Sequence, residues 1–287
     1  MKRILYIIIG ITACLSSYAA GWGSVKALPQ DSATICRLLA EAKQQPASTC
    51  LPLFFAQKFV GIPYVAHTLE GDKQERLVVN TRQLDCTTLV ETVTALTLCA
   101  QHKDYSWLAY QQALVGLRYR GGVIDGYPSR LHYFTEWITD NTKAGVVNEV
   151  QTPNPPFTAV QTVKVSYMST HPKSYQSLKE HPEYVSVIAK QERQVSGAKY
   201  RFIPKKLVGK SQLLRKAIKD GDIIAITCNK TGLDIAHLGF AVWRADGLHL
   251  LNASQLHHKV VLEPMTLYQY LKKHPSHTGI RIIRITK

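Results

Sequence analysis

The chain has 287 residues, and 45% of them are hydrophobic, which is enough for one sizeable buried core. Its 35 Lys and Arg residues outnumber its 20 Asp and Glu residues, and the net charge of +15 favours an anionic partner such as nucleic acid, acidic lipid or another polyanion. Beyond the N-terminal segment, no apolar run is long enough to cross a bilayer, which argues against a multi-span membrane protein.

The N-terminus has the layout of a secretory signal peptide. Residues 1–20 combine a basic start, a short apolar run and a cluster of small residues, so we expect them to be removed on export. Removal of Lys2 and Arg3 lowers the net charge from +15 to +13. Residues 11–14 also resemble a lipobox, and by that route Cys14 would carry a lipid anchor. Both routes lead to the periplasm or cell envelope, which argues against nucleic acid as the partner.

The first half of the chain is predicted to be mainly helical. Asp31 to about Lys58 has the pattern of two helices broken near Pro46. The segment from Cys86 to about His102 is apolar on most faces, which indicates a buried central helix. Two more helices and one short strand are predicted at Tyr105–Leu117, Leu131–Asp140 and Leu77–Asn80.

The last third of the chain is predicted to be a β-sheet. Asp246-Gly247 indicates a tight hairpin turn between two of its strands. Early helices and a late antiparallel sheet indicate an α+β fold. We expect residues 21–287 to form one domain with an N-terminal helical extension and an insertion at about 145–220. The predicted strands are Asp222–Thr227, Leu238–Arg244, Leu248–Ala253, Lys259–Leu262 and Ile280–Ile285.

The chain has six cysteines, of which one lies in the N-terminal segment. Cys36 and Cys50 flank a short helical stretch, and a disulfide between them would suit an oxidising compartment. No pair of cysteines has the spacing of a zinc site, so no metal is expected. Cys99 and Cys228 fit the role of small buried hydrophobes.

Cys86 occupies a position that suits a nucleophile. Asp85 is a good N-cap residue, so Cys86 is predicted to lie in the first turn of the central helix. Unpaired backbone N–H groups and the helix dipole favour a thiolate there, and the same N–H groups can bind an oxyanion. A thiol nucleophile also needs a base. His237 opens a predicted strand directly after a polar loop, which makes it the candidate among eleven histidines.

Four segments resemble a known family of hydrolases. Asp85–Val90 resembles the Asp-Cys-Ser-Gly-Leu-Val helix start of NlpC/P60 hydrolases, and Gly61–Tyr64 and His237–Gly239 resemble their turn and histidine strand. More closely, the chain is similar to the DUF1460 family, which is described as N-acetylmuramoyl-L-alanine amidase-like, over roughly residues 50–285. Ser129–Phe134 matches a segment of that family. The resemblance implies a papain-like fold, with the nucleophile helix packed on the sheet.

The resemblance implies a triad of cysteine, histidine and a polar residue. Cys86 would attack, His237 would act as general base and then acid, and Asn252 falls at the third position, where the family more often has histidine. A hairpin centred on Asp246-Gly247 would leave His237 and Asn252 four residues apart, about 13 Å at ~3.3 Å per residue. His258 lies on the same predicted face and is the alternative orienting residue.

The matched segments also imply residues that bind substrate. Tyr64 would lie beside the nucleophile and help to bind the carbonyl oxygen, or would pack on the core as a turn aromatic. Arg130 suits a substrate carboxylate, with a structural salt bridge as the alternative. The full set of expected substrate-binding residues is Tyr64, Asp85, Arg130, His132, Tyr133 and Ser254.

The function implied by the resemblance is hydrolysis of the N-acetylmuramoyl–L-alanine amide of peptidoglycan or muropeptides through a thioester. Three alternatives stay open. The same machinery could cut the γ-D-glutamyl–diamino acid bond, the chain could bind the cell wall without catalysis, or it could transfer the acyl group to an amine. We expect a monomer that needs no cofactor.

Overall fold

The computed structural model describes residues 24–72 and 74–286. The expected signal peptide and Cys14 lie outside these residues. Within them, none of the helices has the length and apolar character required to cross a membrane.

Most of the helical residues lie in the first half of the chain, as the periodicity predicts, although five of the ten described α-helices lie in the second half. The predicted break near Pro46 is confirmed, because one helix ends at Lys43 and the next begins at Leu51. The helix predicted at Leu131–Asp140 starts later, at Phe134, because Leu131 is still extended and its N–H donates a hydrogen bond to Arg118 O. The helices are α1 Pro29–Lys43, α2 Leu51–Lys58, α3 Cys86–Gln101, α4 Trp107–Arg118, α5 Phe134–Lys143, α6 Tyr167–Thr170, α7 Gln176–Glu180, α8 Glu183–Val195, α9 Ser211–Leu214 and α10 Leu267–Lys272.

The strands form one antiparallel sheet, which confirms the predicted sheet in the last third. Along the sheet the order is β2-β3-β8-β4-β5-β6-β7, and β1 also pairs with β8. The predicted strand at Leu77–Asn80 is wrong: it is reduced to a single bridge between Val78 and Lys26. The strands are β1 Val147–Val150, β2 Ala159–Thr162, β3 Lys199–Pro204, β4 Ile223–Cys228, β5 Ile235–Arg244, β6 Gly247–Ser254, β7 Lys259–Leu262 and β8 His277–Ile285.

The segment expected to be an insertion contributes strands to this same sheet. β1 and β3 both pair with β8, so residues 145–220 continue the sheet on one side. The helices α6 to α8 of this segment cover a smaller apolar cluster that contains Met168, Leu178 and Ile188. This cluster also includes Tyr133, which precedes α5.

The main core lies between α3 and the sheet. Thirteen residues of α3 are buried, because the helix is covered by α1, α2 and α4 on one side and by the sheet on the other. Leu238 and Phe240 of β5 face this core, while Ala241 and Leu250 face a second cluster on the opposite side of the sheet. The helix α3 contacts β5, and the first residues of both elements line one cavity.

Candidate active site

Asp85 caps α3, and Cys86 is its first residue. The Asp85 carboxylate accepts a hydrogen bond from the Thr88 N–H at 2.8 Å, and the Asp85 N–H donates to the Thr88 hydroxyl at 2.9 Å. This reciprocal capping satisfies backbone groups that the helix itself cannot pair. The predicted helix start is confirmed. Asp85 is engaged with Thr88 through one carboxylate oxygen and lies beside the thiol.

His237 is held by Asn252. The imidazole Nε2 and the Asn252 Oδ1 are 2.8 Å apart. The Asn252 amide donates to Leu250 O at 3.3 Å, which leaves Oδ1 as the atom that faces the ring. Because Oδ1 only accepts hydrogen bonds, the proton resides on Nε2, and Nδ1 keeps a free lone pair. His237 is thereby set up as a proton acceptor.

The expectation that His237 and Asn252 lie about 13 Å apart was wrong. The hairpin turn consists of Ala245 and Asp246, with Arg244 opposite Gly247, and Ala241 therefore pairs with Leu250. This register brings Asn252 two residues closer to His237 than a turn centred on Asp246-Gly247. Gly247 adopts a φ of 144°, in the region that favours glycine.

His258 and Ser254 lie away from the imidazole contact. His258 is exposed in the turn after β6 with a φ of 54°, and its carbonyl oxygen accepts a hydrogen bond from the Tyr64 N–H. The Ser254 hydroxyl accepts a bond from the His257 N–H at 3.2 Å and so stabilises that same turn. Asn252 is thus the polar side chain in contact with His237. The substrate-binding role expected of Ser254 is replaced by a structural one.

Cys86 and His237 line one cavity of about 180 Å³. Its walls come from the start of α3, the start of α5, the start of β5 and the segment around α6. In the described part of the chain, no hydrogen bond joins Cys86 Sγ to the imidazole. The lining residues are Cys86, Thr87, Leu131, His132, Tyr133, Phe134, Met168, Tyr175, Leu233, Asp234, Ile235, Ala236, His237 and Leu238.

Burial acts against charge on both Cys86 and His237. Burial, followed by the Asp85 carboxylate, raises the pKa of the Cys86 thiol to about 12, although the Thr87 hydroxyl and the Leu238 N–H partly offset this. Burial also lowers the pKa of His237, against the opposing effect of Asn252. Burial therefore favours the neutral form of both groups and acts against the thiolate that a helix start favours.

Two tyrosines lie close enough to Cys86 for its ionisation to affect their pKa values. Burial, followed by Cys86 and Asp85, raises the pKa of Tyr64 to about 12. Burial, followed by Glu263 and Cys86, raises the pKa of Tyr270 to about 12. Both hydroxyls stay protonated at neutral pH and remain hydrogen-bond donors. Tyr64 was expected beside the thiol, whereas the sequence analysis missed Tyr270, because a helix beyond the last predicted hairpin carries it.

Arg130 is buried in an ion-pair network and lies outside the cavity lining. Its guanidinium donates to Glu75 at 2.7 Å and 2.8 Å, to Glu70 at 2.9 Å and to Leu69 O at 3.1 Å. Burial opposes the charge, but Glu75 and Glu70 together raise the pKa of Arg130. The expected contact with a substrate carboxylate is therefore replaced by the structural salt bridge, since these donors are already used.

His132 and Tyr133, which were expected to bind substrate, line the same cavity as Cys86. His132 Nε2 lies 3.0 Å from Tyr127 O, and burial, followed by Arg130, lowers the pKa of His132 to about 3. The imidazole is therefore neutral at physiological pH. The Tyr133 hydroxyl donates to Glu192 at 2.7 Å and accepts from the Met168 N–H at 3.1 Å. Tyr133 thus ties α6 and α8 to the cavity wall.

The cysteines of the described residues are all free thiols. Cys36 is exposed on α1, and the Cys50 thiol lies 3.4 Å from Asp220 O, so the expected disulfide is absent from this part of the chain. Within residues 24–72 and 74–286, no group of three or more His, Cys, Asp or Glu side chains is arranged to hold a metal ion.

A family model described as N-acetylmuramoyl-L-alanine amidase-like matches residues 54–280. The chain belongs to this amidase-like family. The matched range includes Cys86, His237 and Asn252. The resemblance to the DUF1460 amidase-like family, stated from the sequence motifs, is confirmed. No curated protein matches the chain.

Solved structures agree with membership of the amidase-like family. An N-acetylmuramoyl-L-alanine amidase from Bacteroides uniformis is 40% identical with a TM-score of 0.77, and the match covers 86% of this chain and 100% of that chain. A Bacteroides fragilis protein provisionally described as a xylanase is 43% identical with a TM-score of 0.76, covering 80% of this chain and 99% of that chain. A DUF1460 protein from Legionella pneumophila, 22% identical with a TM-score of 0.71 over 90% and 95% of the two chains, shares the fold.

The amidase-like chain has further cavity residues that the sequence analysis missed. Met168 and Tyr175 come from the segment around α6, and Asp234 comes from the loop before β5. The Asp234 carboxylate accepts a hydrogen bond from the Thr135 N–H at 2.8 Å and so satisfies the start of α5. The start of α5 has no capping side chain of its own, and an acidic residue in a polar loop is the signal that could have indicated Asp234 as its partner. The other two positions depend on long-range packing.

Proposed function

We propose that this protein is an exported cysteine hydrolase with an NlpC/P60 papain-like fold that cleaves the N-acetylmuramoyl–L-alanine amide of peptidoglycan or muropeptides. The observation that carries the proposal is the shared cavity of Cys86 and His237, in which Asn252 fixes the imidazole with Nδ1 unprotonated. The 40% identity to an N-acetylmuramoyl-L-alanine amidase supports the choice of substrate.

In the proposed reaction, Cys86 Sγ attacks the lactyl carbonyl carbon while His237 Nδ1 takes the thiol proton. The negative charge moves to the carbonyl oxygen, where the backbone N–H of Cys86 and the protonated hydroxyl of Tyr64 are suited to bind it. The tetrahedral species then expels the alanine amine, which leaves with the proton from the imidazolium. Water, deprotonated by His237, cleaves the thioester and restores the thiol.

The charge of the cavity favours this amide over the γ-D-glutamyl–diamino acid bond. In that second substrate, the α-carboxylate of D-glutamate lies near the scissile bond and calls for a cationic partner. Among its described lining residues the cavity has neither Lys nor Arg, and His132 is neutral. The nearby Arg130 is already paired with Glu70 and Glu75. The groups that flank the muramoyl–alanine bond are uncharged.

Glycoside hydrolysis fits the cavity poorly, although one relative is provisionally described as a xylanase. Most glycosidases need two carboxyl groups that flank the scissile bond. The described cavity lining has one, Asp234, which is engaged with the start of α5. The lining therefore supports an amide-cleaving thiol.

A digest of purified muropeptides, followed by mass spectrometry, tests the proposal. We expect a free stem peptide that begins with L-alanine, together with a sugar that keeps its lactyl group. Stems truncated after D-glutamate would establish the endopeptidase alternative. Stem peptides joined to an added amine would establish acyl transfer.

The variant Cys86→Ala separates the enzyme from a wall-binding protein without activity. An enzyme loses turnover in this variant and still binds the muropeptide, whereas a binding protein would behave as the parent does in every assay. Detection of mature chain in the cell envelope, starting after residue 20 or at a lipidated Cys14, tests export.

A further inference from the structure

Tyr270 lies against the imidazole of His237. The centroids of the two rings are 6.4 Å apart, and the ring planes are inclined by 29°. The side chain of Tyr270 is 5% exposed, and α10 is anchored by Leu267 and Leu271, which are fully buried in the second apolar cluster. The capping pair Thr266 and Gln269 fixes the start of this helix. The position of the ring is thus set by packing.

Tyr270 also lies close to two other histidines. The Tyr270 ring lies 4.4 Å from that of His274 and 6.0 Å from that of His277, and these two imidazoles stack at 4.6 Å. His277 is 7% exposed, and burial, followed by His274 and His237, lowers its pKa to about 4. The phenol ring therefore neighbours both the candidate base and a second pair of titratable rings.

We propose that Tyr270 is a positioning residue for His237: its ring packs against the imidazole, fixes the plane of that ring and keeps water away from it. This inference rests on the proposed function, because it requires His237 to accept the proton of Cys86. Tyr270 is not among the residues that line the cavity, so we expect it to act on the reaction through the imidazole.

Exclusion of water is the property that a substitution would change. Burial is the main cause of the lowered pKa of His237, so removal of the ring lets water reach the imidazole and raises that pKa. The neutral base is then lost at a higher pH than in the parent. The other polar and titratable groups around His237 stay in place: Asn252, Asp85, Cys86, Glu263, His274 and His277.

We expect the ring of Tyr270, rather than its hydroxyl, to exclude water from His237 and so to keep the pKa of His237 low. Burial, followed by the charge of Glu263, raises the pKa of the Tyr270 hydroxyl to about 12, so this hydroxyl brings no charge to the site at neutral pH. Tyr270→Phe retains the packed ring and removes the hydroxyl. Tyr270→Leu removes the ring. The matched control is Tyr268→Leu, because Tyr268 is on the same helix but packs against Gly209 and Lys272.

The experiment measures the rate at which iodoacetamide alkylates Cys86 as a function of pH, followed by mass spectrometry of the Cys86 peptide. This readout needs no peptidoglycan. On the acid side of this pH–rate profile, the rate falls as His237 becomes protonated; we call this part the acid limb. In Tyr270→Leu we expect the acid limb to move to higher pH by about one unit, which corresponds to about a tenfold slower reaction at a fixed pH on that limb. Tyr270→Phe and Tyr268→Leu keep the limb of the parent.

An unshifted acid limb in a folded Tyr270→Leu variant would overturn the inference, and so would an equal shift in Tyr268→Leu. Folding is checked by thermal unfolding, and Tyr270→Met, which fills more volume without a ring, replaces the Leu variant if that one does not fold. A parent protein with no acid limb at all would refute the Cys86–His237 pair itself. A parent with a normal limb that leaves muropeptides intact would refute only the proposed substrate.

Discussion

Burial raises the thiol pKa of two cysteines on α3 whose surroundings differ. Burial raises the pKa of Cys86 and of Cys99 to about 12. Cys99 is 3% exposed and belongs to the main core, whereas Cys86 lines a cavity together with His237. Its position at a helix start therefore does not by itself set the Cys86 thiol apart from that of Cys99. What distinguishes it is a base that shares its cavity, held in one tautomer by Asn252.

The same distinction separates Arg130 from its near neighbour His132. Arg130 points into a network with Glu70 and Glu75, whereas His132 lines the cavity. Both were expected to bind substrate, because both lie in one segment that resembles the family. Proximity in the sequence thus says little about whether a side chain faces the cavity or the protein interior.

The largest effect on kcat is expected when Cys86 and Cys99 are each replaced by alanine in separate variants. Cys86→Ala should lower kcat for an N-acetylmuramoyl peptide at least about 10⁴-fold, because no nucleophile remains. Cys99→Ala should keep kcat near that of the parent and lower stability by about 1 kcal/mol through a small cavity. Steady-state kinetics and thermal unfolding measure both. Comparable kcat losses in the two variants would remove the distinction.

The next effect concerns the base. His237→Ala should lower kcat about 10²–10⁴-fold, the usual range for a removed general base, and the exposed His258→Ala should leave it unchanged. The active form is neutral, and burial lowers the pKa of His237 below its ordinary value of 6.5. Activity of the parent should therefore persist as the pH falls through 6.5 and decline only below the lowered pKa. A pH profile of kcat that already declines above pH 7 would contradict this assignment.

Local signals were sufficient to predict the helix that carries the nucleophile. Asp85 followed by an apolar run indicated an N-cap and a buried helix, and α3 begins at Cys86. The late strands were also predictable, because short β-rich runs separated by turn residues mark them in the sequence. These features depend on neighbours along the chain.

The contacts around the imidazole depend on register and packing, which the sequence does not specify as directly. A hairpin turn at Ala245-Asp246 in place of Asp246-Gly247 shifts the strand pairing by two residues and decides whether Asn252 reaches His237. Tyr270 reaches the same imidazole from a helix that follows the strands. No local pattern encodes a meeting of that kind.

Arg130→Met should act on stability rather than on catalysis. The change leaves the buried carboxylates of Glu70 and Glu75 without their partner, and breaking a buried pair in this way typically costs about 3–5 kcal/mol. Chemical denaturation measures the loss. A change in KM for muropeptides without loss of stability would instead support a contact between Arg130 and the substrate. The cavity residue His132 is outside this network, so His132→Gln should cost less than Arg130→Met.

The smallest effect is expected at Asn252, which orients the base and takes no part in bond making. Asn252→Ala removes one hydrogen bond worth about 1–3 kcal/mol and should lower kcat about 10- to 100-fold with little change in KM. Asn252→His should lie within about tenfold of the parent, because a ring nitrogen can accept the same bond. If Asn252→Ala leaves kcat unchanged, the 2.8 Å contact with Nε2 does not orient the base. Tautomer control by this strand would then be ruled out, and the difference between Cys86 and Cys99 would rest on the shared cavity alone.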